Sequence, residues 1–159
     1  MPISLVAAVA KNGCIGKNGG IPWKIPGEQL IFKELTIGNV VIMGRKTWES
    51  IPEKYRPLAE RTNVVITRQS DYPLPPGVEV YSDIQAAIQA HAAEQICIIG
   101  GAELYKMTID LADTLFITHI DKEIDGDTFF PVIDPAIWEE DERQTYPQFH
   151  LVTYRRRAI

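Results

Sequence analysis

An α/β domain built on a mainly parallel, mixed eight-stranded sheet, with flanking helices and a C-terminal antiparallel hairpin, is the architecture this 159-residue chain predicts. Three observations carry it. Short, nearly continuous apolar runs at Ile3–Ala10, 39–43, 63–67 and 95–99 have the length and composition of strands buried on both faces. Helical patterns follow most of these runs, as in strand–helix–strand units. The chain then ends in two strands, 138–145 and 149–155, separated only by Tyr146-Pro147-Gln148, which reads as an antiparallel pair.

In order, Ile3–Ala10 is a central strand whose alanines at 7, 8 and 10 leave space for something to approach the backbone. Residues 11–20 hold four glycines and two asparagines, and read as a loop with little to fix it, a candidate for motion over a site. A proline-pinned stretch, 21–26, leads into a helix over 27–35 with Glu28 in its first turn. A carboxylate beside a helix N-terminus is favourable in itself, so position alone does not mark Glu28 as functional. The run 39–43 stops at Gly44 and enters a short helix over 45–51, where Arg45, Lys46 and Thr47 add donors to an anion-ready junction. Residues 52–62 form a loop, and 63–67 a strand with Arg68 at its end. A proline-rich irregular segment leads to a short strand at 78–81. Ser82 and Gln85 have capping-box spacing for a helix reaching about residue 93. Run 95–99 ends in Gly100-Gly101 before a helix over 102–109. Paired glycines let a phosphate come close, so this junction is the stronger anion site. A strand at 114–120 and a turn-rich loop at 125–131 precede the hairpin.

Apolar content of 45% and charged content of 23% are ordinary globular values and favour one domain over 1–159. No apolar run reaches the length of a membrane span and no basic signal region opens the chain, so a cytoplasmic protein is expected. Cys14 and Cys97 read as free thiols, and the scattered His91, His119 and His150 suggest no metal site. A net charge of −5 argues against a nucleic-acid partner. Between Arg45 and Arg68, however, six basic residues face three acidic ones, a local cationic zone suited to anionic small molecules. Neither GxGxxG with a following acid nor GxxxxGK[ST] occurs. With no acid placed for a ribose 2′-OH and Arg45 and Arg68 at strand ends, a 2′-phosphorylated dinucleotide is favoured. Spacing alone names no substrate.

The residues Ile15-Gly16, Ile21-Pro22-Trp23, Phe32-Lys33, Met43-Gly44-Arg45, Thr47-Trp48-Glu49-Ser50-Ile51, Gly100-Gly101 with Tyr105, Gly126-Asp127-Thr128 and Phe130-Pro131 occur in an order and spacing that closely resembles dihydrofolate reductase. The resemblance covers nearly the whole chain. It implies hydride transfer from NADPH to C6 of dihydrofolate with a proton delivered to N5, in support of one-carbon metabolism. It places Glu28 as the acid of the pterin pocket, with Thr118 as the hydroxyl that holds it and Trp23 beside them among the catalytic positions. Burial would raise that carboxyl's pKa and a cationic partner would lower it. Val6, Ala7, Ala8, Phe32, Ile51, Leu58 and Ile99 would wall the substrate, with Gln29, Lys33 and Tyr105 near it. Arg61 would pair with the α-carboxylate of the glutamate tail, helped by Arg56 from the rim.

For NADPH, the same resemblance puts the 2′-phosphate near Arg45, Thr67 and Arg68. The pyrophosphate would lie on Gly44, Lys46, Thr47 and the helix start formed by Gly101, Ala102, Glu103 and Leu104. The nicotinamide would rest against Ala8, Ile15, Ile99 and the loop Gly16, Asn18, Gly19, Gly20 and Ile21, with Tyr105 nearby and Asp127 steadying the loop. Gly100-Gly101 would be a cis peptide. Antifolate inhibitors are implied ligands, and a monomer is expected. Glu28 stands where bacterial members usually carry Asp, and Gln29 replaces a common apolar residue. Glu28 has the length found in animal members, but in its compactness and its run Gly27-Glu28-Gln29-Leu30-Ile31-Phe32-Lys33 the chain is similar to the transferable, trimethoprim-insensitive enzymes. A same-fold reductase of another heterocycle, such as a pyrimidine intermediate, and a non-catalytic nucleotide-binding module are the alternatives.

Overall fold

The structure is a computed structural model and describes residues 2–16, 27–69 and 71–158. Its main sheet runs β5(Glu79–Tyr81), β4(Thr62–Ile66), β3(Val40–Gly44), β6(Ile96–Ile98), β1(Ile3–Ala10), β7(Thr114–Ile120), β10(Phe149–Arg156), β9(Trp138–Tyr146). The first six strands are parallel, and β10 pairs antiparallel with both β7 and β9. Sequence and structure agree on this architecture. The central strands are apolar at consecutive positions because both faces are covered: Val41, Ile42 and Met43 are fully buried, as are Ile96 and Ile98.

The pleat sorts β1 between the two faces. Ile3, Leu5, Ala7 and Val9 pack with Ile84, Ala87 and Ile88 of α3(Ile84–Ala90) and with Leu104 and Tyr105 of α4(Ala102–Thr108). Val6 packs on the other face with Trp48 of α2(Arg45–Ser50), and Phe32 and Leu35 of α1(Glu28–Thr36) close over that cluster. Because β6 returns between β3 and β1, the carboxyl ends of β1, β3 and β6 converge, which is where open α/β sheets bind ligands.

Several elements differ in detail from the sequence reading. Strand and helix limits move by one or two residues, and the helix expected to reach residue 93 stops at Ala90. Its N-cap is Asp83, whose Oδ1 accepts from the Gln85 N–H at 3.3 Å, so no capping box starts at Ser82. The glycine loop is not wholly unfixed, since Cys14–Gly16 forms β2 and pairs antiparallel with β8(Thr128–Phe129) inside the turn-rich segment. The residues 52–62 include a 3₁₀ turn at Glu53–Tyr55. Gly100–Gly101 is cis, as the resemblance implied; Arg56–Pro57 is also cis, which it did not.

Pairing of β7 with β10 sets His119 opposite His150, their rings stacked at 5.1 Å. His119 Nε2 lies 2.8 Å from the Tyr154 hydroxyl. Burial, then the neighbouring His150 and Arg143, push the His119 pKa down to about 4. The unfolded chain, with an ordinary value near 6.5, therefore takes up this proton first, and stability is lost as pH falls from 6.5 towards 4. His91 has the opposite sign. Burial opposes its charge, but Glu94 and Glu79, each 2.9 Å away, outweigh burial and raise its pKa. Its contribution is complete at pH values below 6.5 and fades above. His119→Gln is expected to lose less melting temperature than the parent between pH 7 and 4.5. Parallel melting curves for the two proteins would refute this assignment.

Candidate active site

A cleft of about 940 Å³ opens at the converging strand ends. Ala8, Ile15 and Gly16 line one side; Gly44, Arg45, Lys46 and Thr47 a second; Thr67 and Arg68 a third; Ile99 to Tyr105 the floor. All the described residues that the resemblance assigned to the cofactor, except Asp127, thus share one cavity. Asn18, Gly19, Gly20, Ile21 and Trp23 lie outside the described residues. Asp127 is not in the lining, although its N–H donates to Gly16 O at 3.1 Å and its neighbour Thr128 does line the cleft. Among the lining residues that sequence reasoning missed are Gln69, Ser82, Asp83 and Met107. Ser82 and Asp83 follow the end of β5, so the strand-end rule applied to the other strands would have found them.

The floor is bare backbone. Gly44 N–H donates to Gly100 O at 2.9 Å, which locks β3 to the turn after β6. Gly100 has φ +124°, and a Cβ there would stand 3.3 Å from the Tyr105 hydroxyl and 3.4 Å from Thr47 Oγ1. Glycine is therefore required by conformation and by space. In α4 the first ladder bond is Tyr105 N–H to Gly101 O, so the N–H groups of Ala102, Glu103 and Leu104 precede the ladder at the cleft. The Tyr105 hydroxyl donates to Val6 O at 2.7 Å and is fully buried, which pushes its pKa far up and keeps it a donor. Arg45 Nη1 donates to both Glu49 oxygens, at 3.0 and 3.1 Å. Lys46 and Arg68 are exposed and form no ion pair among the described residues. An elongated anionic ligand fits this set of cations, hydroxyls and open N–H groups.

Ile99 is shared between the cleft and an apolar cluster on the same sheet. Val6 and Ile99 belong to one apolar cluster against which Phe32, Ile51 and Leu58 pack. Glu28 is the half-buried first residue of α1, entered from Gly27 at φ +90°. Thr118 is buried and registers beside Ala8 across the β1–β7 pairing. Gln29 and Lys33 are exposed on α1.

Two buried polar residues, which sequence reasoning passed over, shape the rim. Asn63 accepts from Leu58 N–H at 2.9 Å and donates to Leu58 O and Arg61 O at 3.0 Å each, bracing the loop ahead of β4. Thr36 Oγ1 donates to Phe32 O at 2.8 Å and accepts from Arg61 Nη1 at 3.0 Å. Arg61 Nε donates to Ala59 O at 2.8 Å, so its guanidinium is oriented while Nη2 has no partner among the described residues. Asn63 had a signal in the sequence, a polar residue beginning an apolar run, whereas Thr36, the last residue of α1, had none. Arg56 packs 5.5 Å over the Trp48 ring, and its charge acts on Glu49 and Tyr72.

The profile of the family described as dihydrofolate reductase matches residues 2–156. A dihydrofolate reductase of Neisseria meningitidis is 47% identical over 144 residues, covering 90% of this chain and 87% of its own. A dihydrofolate reductase type 3 of Salmonella typhimurium is 44% identical over 148 residues, 92% of this chain and 89% of its own. In structure, dihydrofolate reductase from Enterococcus faecalis complexed with NADP(H) and RAB-propyl superposes with a TM-score of 0.87 at 32% identity, covering 99% of this chain and 97% of that one.

Proposed function

The chain belongs to the dihydrofolate reductase family and reduces dihydrofolate with NADPH, and from that premise we propose how its own residues divide the work. One observation supports the division above all others. Ile99 lines the glycine-floored cleft and also belongs to the apolar cluster of Phe32, Ile51 and Leu58, so two ligands would meet there. Bound NADPH supplies a hydride to C6 of the substrate, and N5 takes a proton. Arg45, Thr67 and Arg68 hold the 2′-phosphate; Lys46, Thr47 and the first N–H groups of α4 hold the pyrophosphate. Ala8, Ile15 and Ile99 pack against the nicotinamide.

On the substrate side Glu28 hydrogen-bonds the pterin amino group and N3–H, and so favours protonation of N5. Charge-assisted bonds from a carboxylate are worth about twice a neutral one and fix orientation as well. Thr118 supports that carboxylate, and Trp23 is counted with them among the catalytic positions. Arg61, held by Thr36 and Ala59, presents its remaining N–H groups to the α-carboxylate of the glutamate tail. The protein is read as one catalytic domain over 1–159, monomeric, cytoplasmic and without a nucleic-acid partner. The net charge of −5 supports the last point, and no helix among the described residues is long and apolar enough to cross a membrane.

The test is NADPH oxidation by the purified protein with and without dihydrofolate. Oxidation is expected only with the substrate, and its absence would overturn the reading, leaving the pyrimidine-reductase and non-catalytic alternatives. The same assay with inhibitors tests the acid position. Glu28 is one methylene longer than the usual bacterial Asp, and Gln29 is polar. Both are expected to weaken trimethoprim more than methotrexate, and ordinary bacterial potency for trimethoprim would refute it.

A further inference from the structure

Arg45 is the one cation lining the cleft that is held by another side chain among the described residues. Both of its bonds to Glu49 use Nη1 alone, at 3.0 and 3.1 Å. Nε and Nη2 are left without a protein partner among the described residues, so part of the fork remains available to a ligand. Glu49 is held in turn. Its Oε2 accepts from the Tyr72 hydroxyl at 2.6 Å. That bond, followed by Arg45 and Arg56, keeps the Glu49 carboxyl below its ordinary pKa and therefore ionised. Tyr72 belongs to the segment after β4. Its ring packs against the cluster containing Trp48, and its N–H donates to Gln69 O at 3.4 Å. Gln69 N–H is bonded to Thr67 Oγ1 at 3.2 Å.

The geometry matters because the two cations of the phosphate end come from different pieces of chain. Arg45 begins α2 after β3, whereas Arg68 follows β4. The Tyr72–Glu49–Arg45 chain ties those two pieces together through two side chains that do not line the cleft, while Gln69 and Thr67 carry the tie to either side of Arg68. We propose that Glu49 and Tyr72 are positioning residues that hold Arg45 for the cofactor's 2′-phosphate and so set the preference for NADPH over NADH. This rests on the reading that Arg45 binds that phosphate. An unheld arginine would lose rotamer freedom on binding, and pre-orientation removes that cost. Glu49 also opposes the arginine's charge, so holding and neutralising pull in opposite directions. Glu49→Gln separates the two effects by their opposite signs.

The experiment is steady-state kinetics with NADPH and with NADH on Tyr72→Phe, Glu49→Gln, Arg45→Gln and the Tyr72→Phe/Arg45→Gln pair. Phenylalanine keeps the packing of Tyr72 and removes only the hydroxyl. Tyr72→Phe and Glu49→Gln are each expected to raise the KM for NADPH about two- to tenfold, with kcat and the KM for NADH changing by less than about twofold. Arg45→Gln should collapse the NADPH preference, and adding Tyr72→Phe to it should change nothing further. A full NADPH preference in Arg45→Gln would remove the premise, and the clamp with it. Arg45→Gln acting while Tyr72→Phe and Glu49→Gln do not would overturn the clamp alone. So would a Glu49→Gln variant that binds NADPH more tightly, equal losses with both cofactors, or additive effects in the pair.

Discussion

Glu28→Gln is expected to slow dihydrofolate reduction at pH 7 by about a hundredfold or more, within the range typical of a lost acid–base group, while NADPH affinity changes by less than about twofold. Two features make the effect specific. Glu28 begins α1 and is not among the residues that line the cleft proposed for NADPH, so a neutral isostere there leaves that cleft as it was. Gln29, Lys33 and Glu34 on the same helix are exposed, whereas Glu28 is half-buried. The amide keeps size and some hydrogen bonding but cannot carry the negative charge that favours a protonated N5. As pH falls, solvent protonates more of the substrate directly, so the variant should recover activity towards acid while the parent gains less. Single-turnover rates at pH 7 and pH 5 measure both effects. A variant with the parent's rate and pH profile would remove Glu28 from the chemistry.

Why Glu28 needed the family resemblance, while the cofactor cleft did not need it to the same degree, is a matter of physics. The cleft rests on local, repeated signals: apolar runs ending at Gly44 and at Gly100-Gly101, with Arg45 and Lys46 directly after the first. Strand, glycine and helix start are adjacent in sequence, so spacing encodes the geometry. The proposed substrate wall is the cluster of Val6, Phe32, Ile51, Leu58 and Ile99, whose meeting depends on sheet order and on α1 packing over the face. No local pattern states that. The same holds for Thr36 and Asn63, whose partners Arg61 and Leu58 become fixed only once the loop folds back. The mispredicted cap shows the converse limit. Ser82 and Gln85 have suitable spacing, yet Asp83, one residue later, also has a side chain able to cap, and it takes the position. The strand at Cys14–Gly16 was hidden because its three residues include a glycine and pair with only two others.

Gly126→Ala is expected to reach the active site from outside it. A Cβ at this position would overlap Cys14 Sγ and stand 2.5 Å from Gly16 O, closer than real Cβ atoms approach. Neither obstacle can swing aside. Cys14 is fully buried in β2, and Gly16 O already accepts the Asp127 N–H at 3.1 Å. β2 and β8 must therefore separate. Phe130 N–H to Gly13 O, at 3.0 Å, holds the same seam and resists the movement. Overpacking of this kind costs about 1–3 kcal/mol, which for a chain of this size lowers the melting temperature by about 2–12 °C. Ile15, Gly16 and Thr128 line the cofactor cleft, so the same displacement should raise the Kd for NADPH. Adding Cys14→Ala takes away one of the two obstacles and should restore part of the melting temperature, less of it than full relief because the Gly16 carbonyl remains. Melting curves and NADPH titration of the single and double variants decide the matter. An unchanged melting temperature and Kd in Gly126→Ala would mean that the seam yields freely and does not brace the nicotinamide side.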